Sequence, residues 1–216
     1  MMTTTNSYGA LFDLDGVLVD TEGTYSLFWS EAGRRYHPEI PDFDMKIKGS
    51  TLPRILEAYF PDPDISEAVC AELEVFENAM DFPLFDGVIE FLSDLKKHGI
   101  PAAIVTSSGP DKMKRLFKSN PEFASYFDAV VTSGDVTLSK PDPQCYIIGA
   151  RKIGIDIDRC YVFEDSINGL TSGMASGATV IGIATTLAAA ELEGRAHAVV
   201  PSLASMSVDK MLEVKR

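Results

Sequence analysis

The sequence predicts an α/β protein: a doubly wound, Rossmann-like parallel sheet with a small all-helical domain inserted after its first strand. Three observations carry that expectation. From residue 84 onward, short runs that are apolar on both alternating faces alternate with helix-like segments, as strands covered on both sides by helices do. Several of those segments stop at a glycine (Gly99, Gly154, Gly177), the residue that ends helices most easily. Residues 20–83 break the rhythm, with helix-like segments following one another and no buried strand between.

In chain order, "YGALFDLD" reads as the first strand. Helices follow over 24–36, 50–60 and 65–80, with "YHPEIPDFD" and "FPDPD" as Pro- and Asp-rich turns. Pro83 and "FDGV" bring the chain back. The remainder reads as helix 87–99, strands 100–108 and 128–134, helix 143–154, strand 160–166, helix 167–177, strands 178–183 and 196–200, and helix 206–214. Repeated alternation of this kind implies helices packed on both faces of one sheet. The expected domains are a core of residues 1–19 plus 84–216, which carries the site, and a helical domain of residues 20–83.

With 216 residues, 45% hydrophobic and 24% charged, the chain suits a soluble globular protein with one large core. No apolar run is long enough to span a bilayer, and "MMTTTNSYGA" lacks the basic and apolar regions of a secretory signal. The expectation is a cytoplasmic monomer with no membrane partner. Cys70, Cys145 and Cys160 are odd in number and form no CxxC pair, so they read as small buried apolar residues. The three histidines are scattered. A net charge of −13 argues against nucleic acid as a partner, because phosphate backbones are held by Lys and Arg.

Polar residues intrude where apolar strands end. Asp13 and Asp15 stand two apart, so both point to one side of the strand's end. Gly16 follows, permitting a tight turn. Two neighbouring carboxylates resist ionising together unless a cation sits between them, and Mg²⁺ is the usual choice beside phosphate. "IVTSS" ends another strand with Thr106, Ser107 and Ser108; "TLSKPDP" sets Lys140 before a proline; "YVFEDS" ends a further strand with Glu164 and Asp165. Carboxylates, hydroxyls and one ammonium at a single sheet edge suit phosphoryl transfer.

Taken in order, "DLDGVLVDTE", "VTSS", "SKPDP" and "FEDSINGL" resemble the motifs of haloacid-dehalogenase-superfamily phosphohydrolases of the β-phosphoglucomutase-like group, and the likeness runs nearly end to end. The resemblance implies Asp13 as a nucleophile forming an aspartyl-phosphate and Asp15 as general acid and base. It implies Thr106, helped by Ser107 or its backbone, on the transferring phosphoryl group; Ser108 is a further candidate for substrate binding. Lys140 would neutralise nucleophile and phosphate. Mg²⁺ would be held by Asp13, the Asp15 main-chain oxygen and Asp165, with Glu164 in or beside its ligand shell. The group also places a helical cap directly after the first motif.

Residues 20–83 hold fourteen acidic against five basic residues. Against that background "KIKGSTLPR" gathers Lys46, Lys48 and Arg54, a local reversal of sign suited to a phosphorylated substrate. Lys48, Gly49 and Arg54 are the candidate substrate-facing residues. Tyr25, Phe28 and Trp29 are expected to pack the cap's own core, and Asp20 and Glu22 to support its hinge or the helix that follows. Sugar-phosphate mutases of the group carry a His where this chain has Tyr25, and a shorter Gly-to-Arg spacing than "GSTLPR". Both departures favour a phosphatase over a β-phosphoglucomutase-type isomerase. A receiver-like phospho-acceptor module is the non-enzymatic rival, and Asp15 and the cap both argue against it.

Overall fold

The computed structural model describes residues 8–215; the first seven residues of the stretch read for a signal, Arg216 and the side chain of Glu22 lie outside the description. Six parallel strands form one sheet: β1 (Gly9–Phe12), β2 (Ala102–Val105), β3 (Ala129–Val131), β4 (Cys160–Glu164), β5 (Thr179–Ile183) and β6 (Ala198–Val200). Their order is β3-β2-β1-β4-β5-β6. The order reverses between β1 and β4, and ligands of such sheets gather in the crevice outside the strand ends at that point. β1 pairs with β4 through Phe12 opposite Phe163, which sets Asp13 beside Glu164.

Strand alternation divides the core. Ala10, Phe12, Ile104 and Phe163 pack on one face with helix Val88–Lys97. Phe12 and Phe163 stack there at 4.6 Å, with Phe91 edge-on to both. Leu11, Ala103, Val105 and Val162 face the other side, against Tyr146 and Leu170. Gly99, Gly154 and Gly177 all take positive φ beyond helix ends, the conformation a side chain disfavours.

Between β1 and Val88 the chain forms helices Glu22–Tyr36, Phe43–Ile47, Leu52–Tyr59 and Pro63–Asn78. They enclose a hydrophobic cluster of their own, including Trp29, Phe43, Ile55, Phe60 and Leu73. Tyr25 and Phe28 pack against that cluster, as their sequence suggests. Asp62 caps the last helix by accepting from the amides of Asp64 and Ile65, and Pro63 starts it. The two crossings to this segment run side by side: Val19 bridges Leu84, and the Asp20 amide donates to Pro83.

Three helices differ from the sequence reading, one of them the short Ala189–Leu192, which was unassigned. The turn expected over residues 36–44 runs into Phe43–Ile47, a single short helix entered through Asp42 at φ 51°. Pro110–Ser119 was unassigned and is a helix of ten residues. Its only apolar residues besides Pro110 are Met113, Leu116 and Phe117, a narrow stripe that a polar sequence obscures. Among the described residues no helix is long and apolar enough to cross a membrane.

Candidate active site

Asp13 follows the last residue of β1, and its amide donates to the Phe163 carbonyl at 3.0 Å. Lys140, 2% exposed, reaches it from the loop before helix Gln144–Lys152. The Lys140 ammonium lies 2.5 Å from Asp13 Oδ1 and 2.6 Å from Glu164 Oε1, and donates also to the Val105 carbonyl. Burial pushes the Asp13 carboxyl above the usual carboxylate range, with Lys140 opposing and Glu164 adding to the rise. Burial alone would lower Lys140; Asp13 and Glu164 more than reverse that, and it stays an ammonium.

Asp13, Glu164 and Asp165 each offer an oxygen within 4.8 Å of the others'. Three carboxylates share this corner with the Lys140 ammonium, and hard oxygen donors carrying excess negative charge fit Mg²⁺. Glu164 is committed elsewhere. Its Oε1 accepts from Lys140 and the Tyr146 hydroxyl, and its Oε2 from the amides of Asp165 and Ser166 and the Ser166 hydroxyl. Five donors saturate a carboxylate, so Glu164 brings charge and order to this corner and keeps no open ligand position. The N-cap of helix Ile167–Ser176 is Ser166, whose hydroxyl accepts from the Gly169 amide.

Gly16 has a physical reason here. Its φ is +79°, and a Cβ would stand 2.1 Å from Asp165 Oδ2. The same point is 2.7 Å from Thr186 Oγ1, a buried hydroxyl with no hydrogen-bond partner among the described residues. An orphaned oxygen beside Asp165 fits a corner completed by a cation and its water.

Asp15 is gripped from three segments. It accepts from the Thr21 hydroxyl, from Ser108 Oγ at 3.1 Å, and from Lys112 Nζ at 2.5 and 2.6 Å. Thr106 lies at the end of β2, 3% exposed, and its hydroxyl accepts from the Ser108 amide. Ser107 donates to the Gly49 carbonyl at 3.0 Å. So of the three hydroxyls Thr106 keeps a donor for a phosphoryl oxygen, Ser107 is directed to the helical segment, and Ser108 is directed to Asp15.

A cavity of about 720 Å³ opens over these groups. Asp13, Asp15, Thr106, Ser107, Ser108 and Asp165 line its sheet side, while Lys48, Gly49, Tyr25 and Trp29 line the helical side. Gly49, at φ +73°, comes so close that a Cβ would lie 2.8 Å from Ser166 Oγ. Asn168 fastens the neighbouring turn by donating to the Lys48 carbonyl. Arg54 departs from expectation: it does not line the cavity, and its Nη1 donates to the Lys140 carbonyl at 2.9 Å. The four residues between Gly49 and Arg54 carry it onto helix Leu52–Tyr59, past the cavity and onto the lysine loop. Lys112 was missed altogether. Pro110 and the Met113–Leu116–Phe117 spacing mark a helix starting beside the "VTSS" loop, but nothing in them tells which of its lysines turns inward.

Comparisons agree with this geometry. A family model described as haloacid dehalogenase-like hydrolase matches residues 10–183. Hexitol phosphatase A of Escherichia coli (strain K12) is 34% identical over 180 residues, covering 81% of this chain and 82% of that protein. Validoxylamine A 7'-phosphate phosphatase of Streptomyces hygroscopicus subsp. limoneus is 29% identical over 186 residues, covering 82% and 85%. A crystal structure of a HAD hydrolase, family IA, variant 3, from Entamoeba histolytica superposes with a TM-score of 0.82 at 25% identity, covering 96% of this chain and 98% of that one. With its motifs gathered at the switch point of the sheet, the chain belongs to the haloacid dehalogenase-like hydrolase family and is an enzyme of it.

Proposed function

We propose that the protein is a Mg²⁺-dependent phosphatase that hydrolyses a small phosphate monoester through a phosphorylated Asp13. The observation that carries this reading is the Asp13 carboxylate, held by Lys140 at the switch point and facing a cavity it shares with Asp15. In the first step an Asp13 oxygen bonds to phosphorus as the ester oxygen leaves with its electron pair. Asp15 gives that oxygen a proton. In the second step water attacks the phosphorus, Asp15 takes the water's proton, and Asp13 departs as a carboxylate. Alcohol and phosphate are the products, and two easier displacements replace one hard one.

Asp13, Asp165 and the Asp15 main-chain oxygen would hold Mg²⁺, which supplies charge neutralisation for the phosphoryl oxygens when bound. Lys140 offsets charge on the nucleophile, and Thr106 donates to a phosphoryl oxygen. Residues 20–83 act as a cap domain on a core of residues 1–19 plus 84–216, closing water out of the cavity during the first step.

The substrate is a monophosphate whose leaving group is neutral and hydroxylated, such as a sugar or polyol phosphate. Of the basic residues in the cavity wall, Lys112 is paired with Asp15 and Arg115 with Glu77, while Lys48 stands on the helical side, a distribution that suits a substrate with a single phosphate. Trp29 and Leu52 offer an apolar face to the C–H side of a ring or chain. The relatives named for phosphatases of a hexitol and of a validoxylamine phosphate support the same class.

The test is phosphate release with Mg²⁺ from hexitol, hexose and nucleoside monophosphates, set beside sugar bisphosphates and phosphoglycolate, with Asp13→Asn as control. Release from monophosphates is expected, reduced about 10⁴-fold or more in the control. Undiminished release by Asp13→Asn would overturn the reading. Conversion of β-glucose 1-phosphate to glucose 6-phosphate without net phosphate would replace it with an isomerase.

A further inference from the structure

Part of the metal-facing edge is built by a segment that belongs to none of the four motifs. β5 lies beside β4 with Gly182 opposite Glu164, so the loop leaving β5 emerges at the carboxyl edge next to the acidic pair. Two consecutive threonines of that loop meet the turn after Asp15. The Thr185 hydroxyl donates to the Gly16 carbonyl, and the Ala184 amide donates to the Val200 carbonyl at 2.9 Å, which fixes the backbone just before Thr186. Thr186 Oγ1 then stands 2.7 Å, and Asp165 Oδ2 2.1 Å, from the point a Cβ of residue 16 would occupy. This hydroxyl is buried and has no hydrogen-bond partner among the described residues. Leaving it so is unfavourable, whereas a valine of nearly the same shape would bury without that cost.

The neighbouring oxygens are engaged. Glu164 accepts from five donors, and Asp13 Oδ1 accepts from Lys140. An ion of the Mg²⁺ kind keeps several waters when it binds carboxylates. It draws electrons from those waters, so their hydrogens seek acceptors. Thr186 Oγ1 is an acceptor left open for one of them.

We infer that Thr186 is a positioning residue for the cation: its hydroxyl accepts from a water carried by Mg²⁺, so the loop after β5 sets how tightly the metal is held. The inference rests on the Mg²⁺ part of the proposed function. Groups that orient metal ligands from behind change metal affinity by about 10–100-fold. Thr186 does not line the cavity that opens over Asp13, and in this scheme it reaches neither the nucleophile nor the substrate. Its loss therefore weakens the hold on the cation and leaves the rate of the loaded enzyme nearly intact.

The experiment compares wild type, Thr186→Val and Thr186→Ser. For each, the melting temperature is followed against Mg²⁺ concentration without substrate, which gives the dissociation constant of the metal. Turnover of a hydrolysed monophosphate is then measured at saturating Mg²⁺. In Thr186→Val the dissociation constant is expected to rise about tenfold or more. Without metal this variant should melt no lower than wild type, because an unpaired hydroxyl has been removed. Thr186→Ser keeps the hydroxyl and should bind Mg²⁺ within about threefold of wild type. In both variants kcat at saturating Mg²⁺ should change by less than about threefold.

Equal Mg²⁺ affinity in wild type and Thr186→Val, whatever the kcat, would overturn the inference, as would a loss that serine does not restore. Melting lowered by the same amount with and without metal would also overturn it, by making Thr186 a packing residue. A wild type whose melting temperature ignores Mg²⁺ would remove the metal from the proposed function and the inference with it. Equal rises in all three proteins would remove the inference alone.

Discussion

At Gly16 the chain solves two steric problems with one missing atom. The turn after Asp15 needs φ +79°, and the space where a Cβ would go lies against the Asp165 carboxylate. Gly16→Ala is therefore expected to cost about 1–3 kcal/mol of stability and to abolish the Mg²⁺-dependent rise in melting temperature. A thermal melt with and without Mg²⁺ checks this; an unaltered rise would mean that Asp165 does not hold the cation. Asp13, Asp15, Thr106 and Asp165 stood out in the sequence because polar residues at buried strand ends contradict the local pattern, and Lys140 because "SKPDP" follows them in the order the resemblance implies. Lys112 did not, because a lysine in a polar helix looks like any solvated charge. Its burial becomes visible only when Asp15 and Tyr25, distant in sequence, are placed on either side of it.

Elements position these residues by close backbone approach. Helix Ile167–Ser176 runs past Glu164 so tightly that a Cβ at Gly169 would overlap the Glu164 carboxylate at 1.8 Å. Gly169→Ala should force the helix or Glu164 to move, at about 1–3 kcal/mol, and lower activity through Lys140, which Glu164 holds; urea unfolding beside an activity assay reports both. Arg54 separates two readings of one residue. As a substrate contact its loss would raise KM. As the partner of the Lys140 carbonyl its loss leaves that acceptor unsatisfied, worth about 1–3 kcal/mol. Arg54→Ala is therefore expected to lower kcat about tenfold or more with KM nearly constant, and steady-state kinetics decides. The Gly-to-Arg spacing was legible in the sequence; where helix Leu52–Tyr59 would carry the guanidinium was not, because that depends on how the helix docks on the loop before Gln144.

Across the whole molecule, sheet topology brings β1, β2 and β4 side by side, so motifs separated by some 150 residues meet at one edge. That much was legible, since buried strands in alternation with helices leave few arrangements of a parallel sheet. The separate cluster around Trp29 and Leu73 was legible too, because the rhythm of the chain changes at residue 20. How the two clusters meet was not, for it depends on paired charges and backbone contacts that carry no periodicity. Removing the cation should act on the whole assembly: a chelator is expected to abolish turnover, and Mg²⁺ at about 100 times its dissociation constant to stabilise by about 2.7 kcal/mol, an effect lost in Asp165→Asn. Calorimetric melting of both proteins tests that.

The central claim is that phosphate passes through Asp13. A monophosphate carrying a radioactive phosphoryl group, mixed with the enzyme and Mg²⁺ and quenched in acid within milliseconds, would reveal it. The account predicts label on the chain, released by hydroxylamine as an acyl phosphate is, confined to the peptide bearing Asp13 and absent from Asp13→Asn. Phosphate release with no label on the chain at any time, continuing in Asp13→Asn, would contradict it.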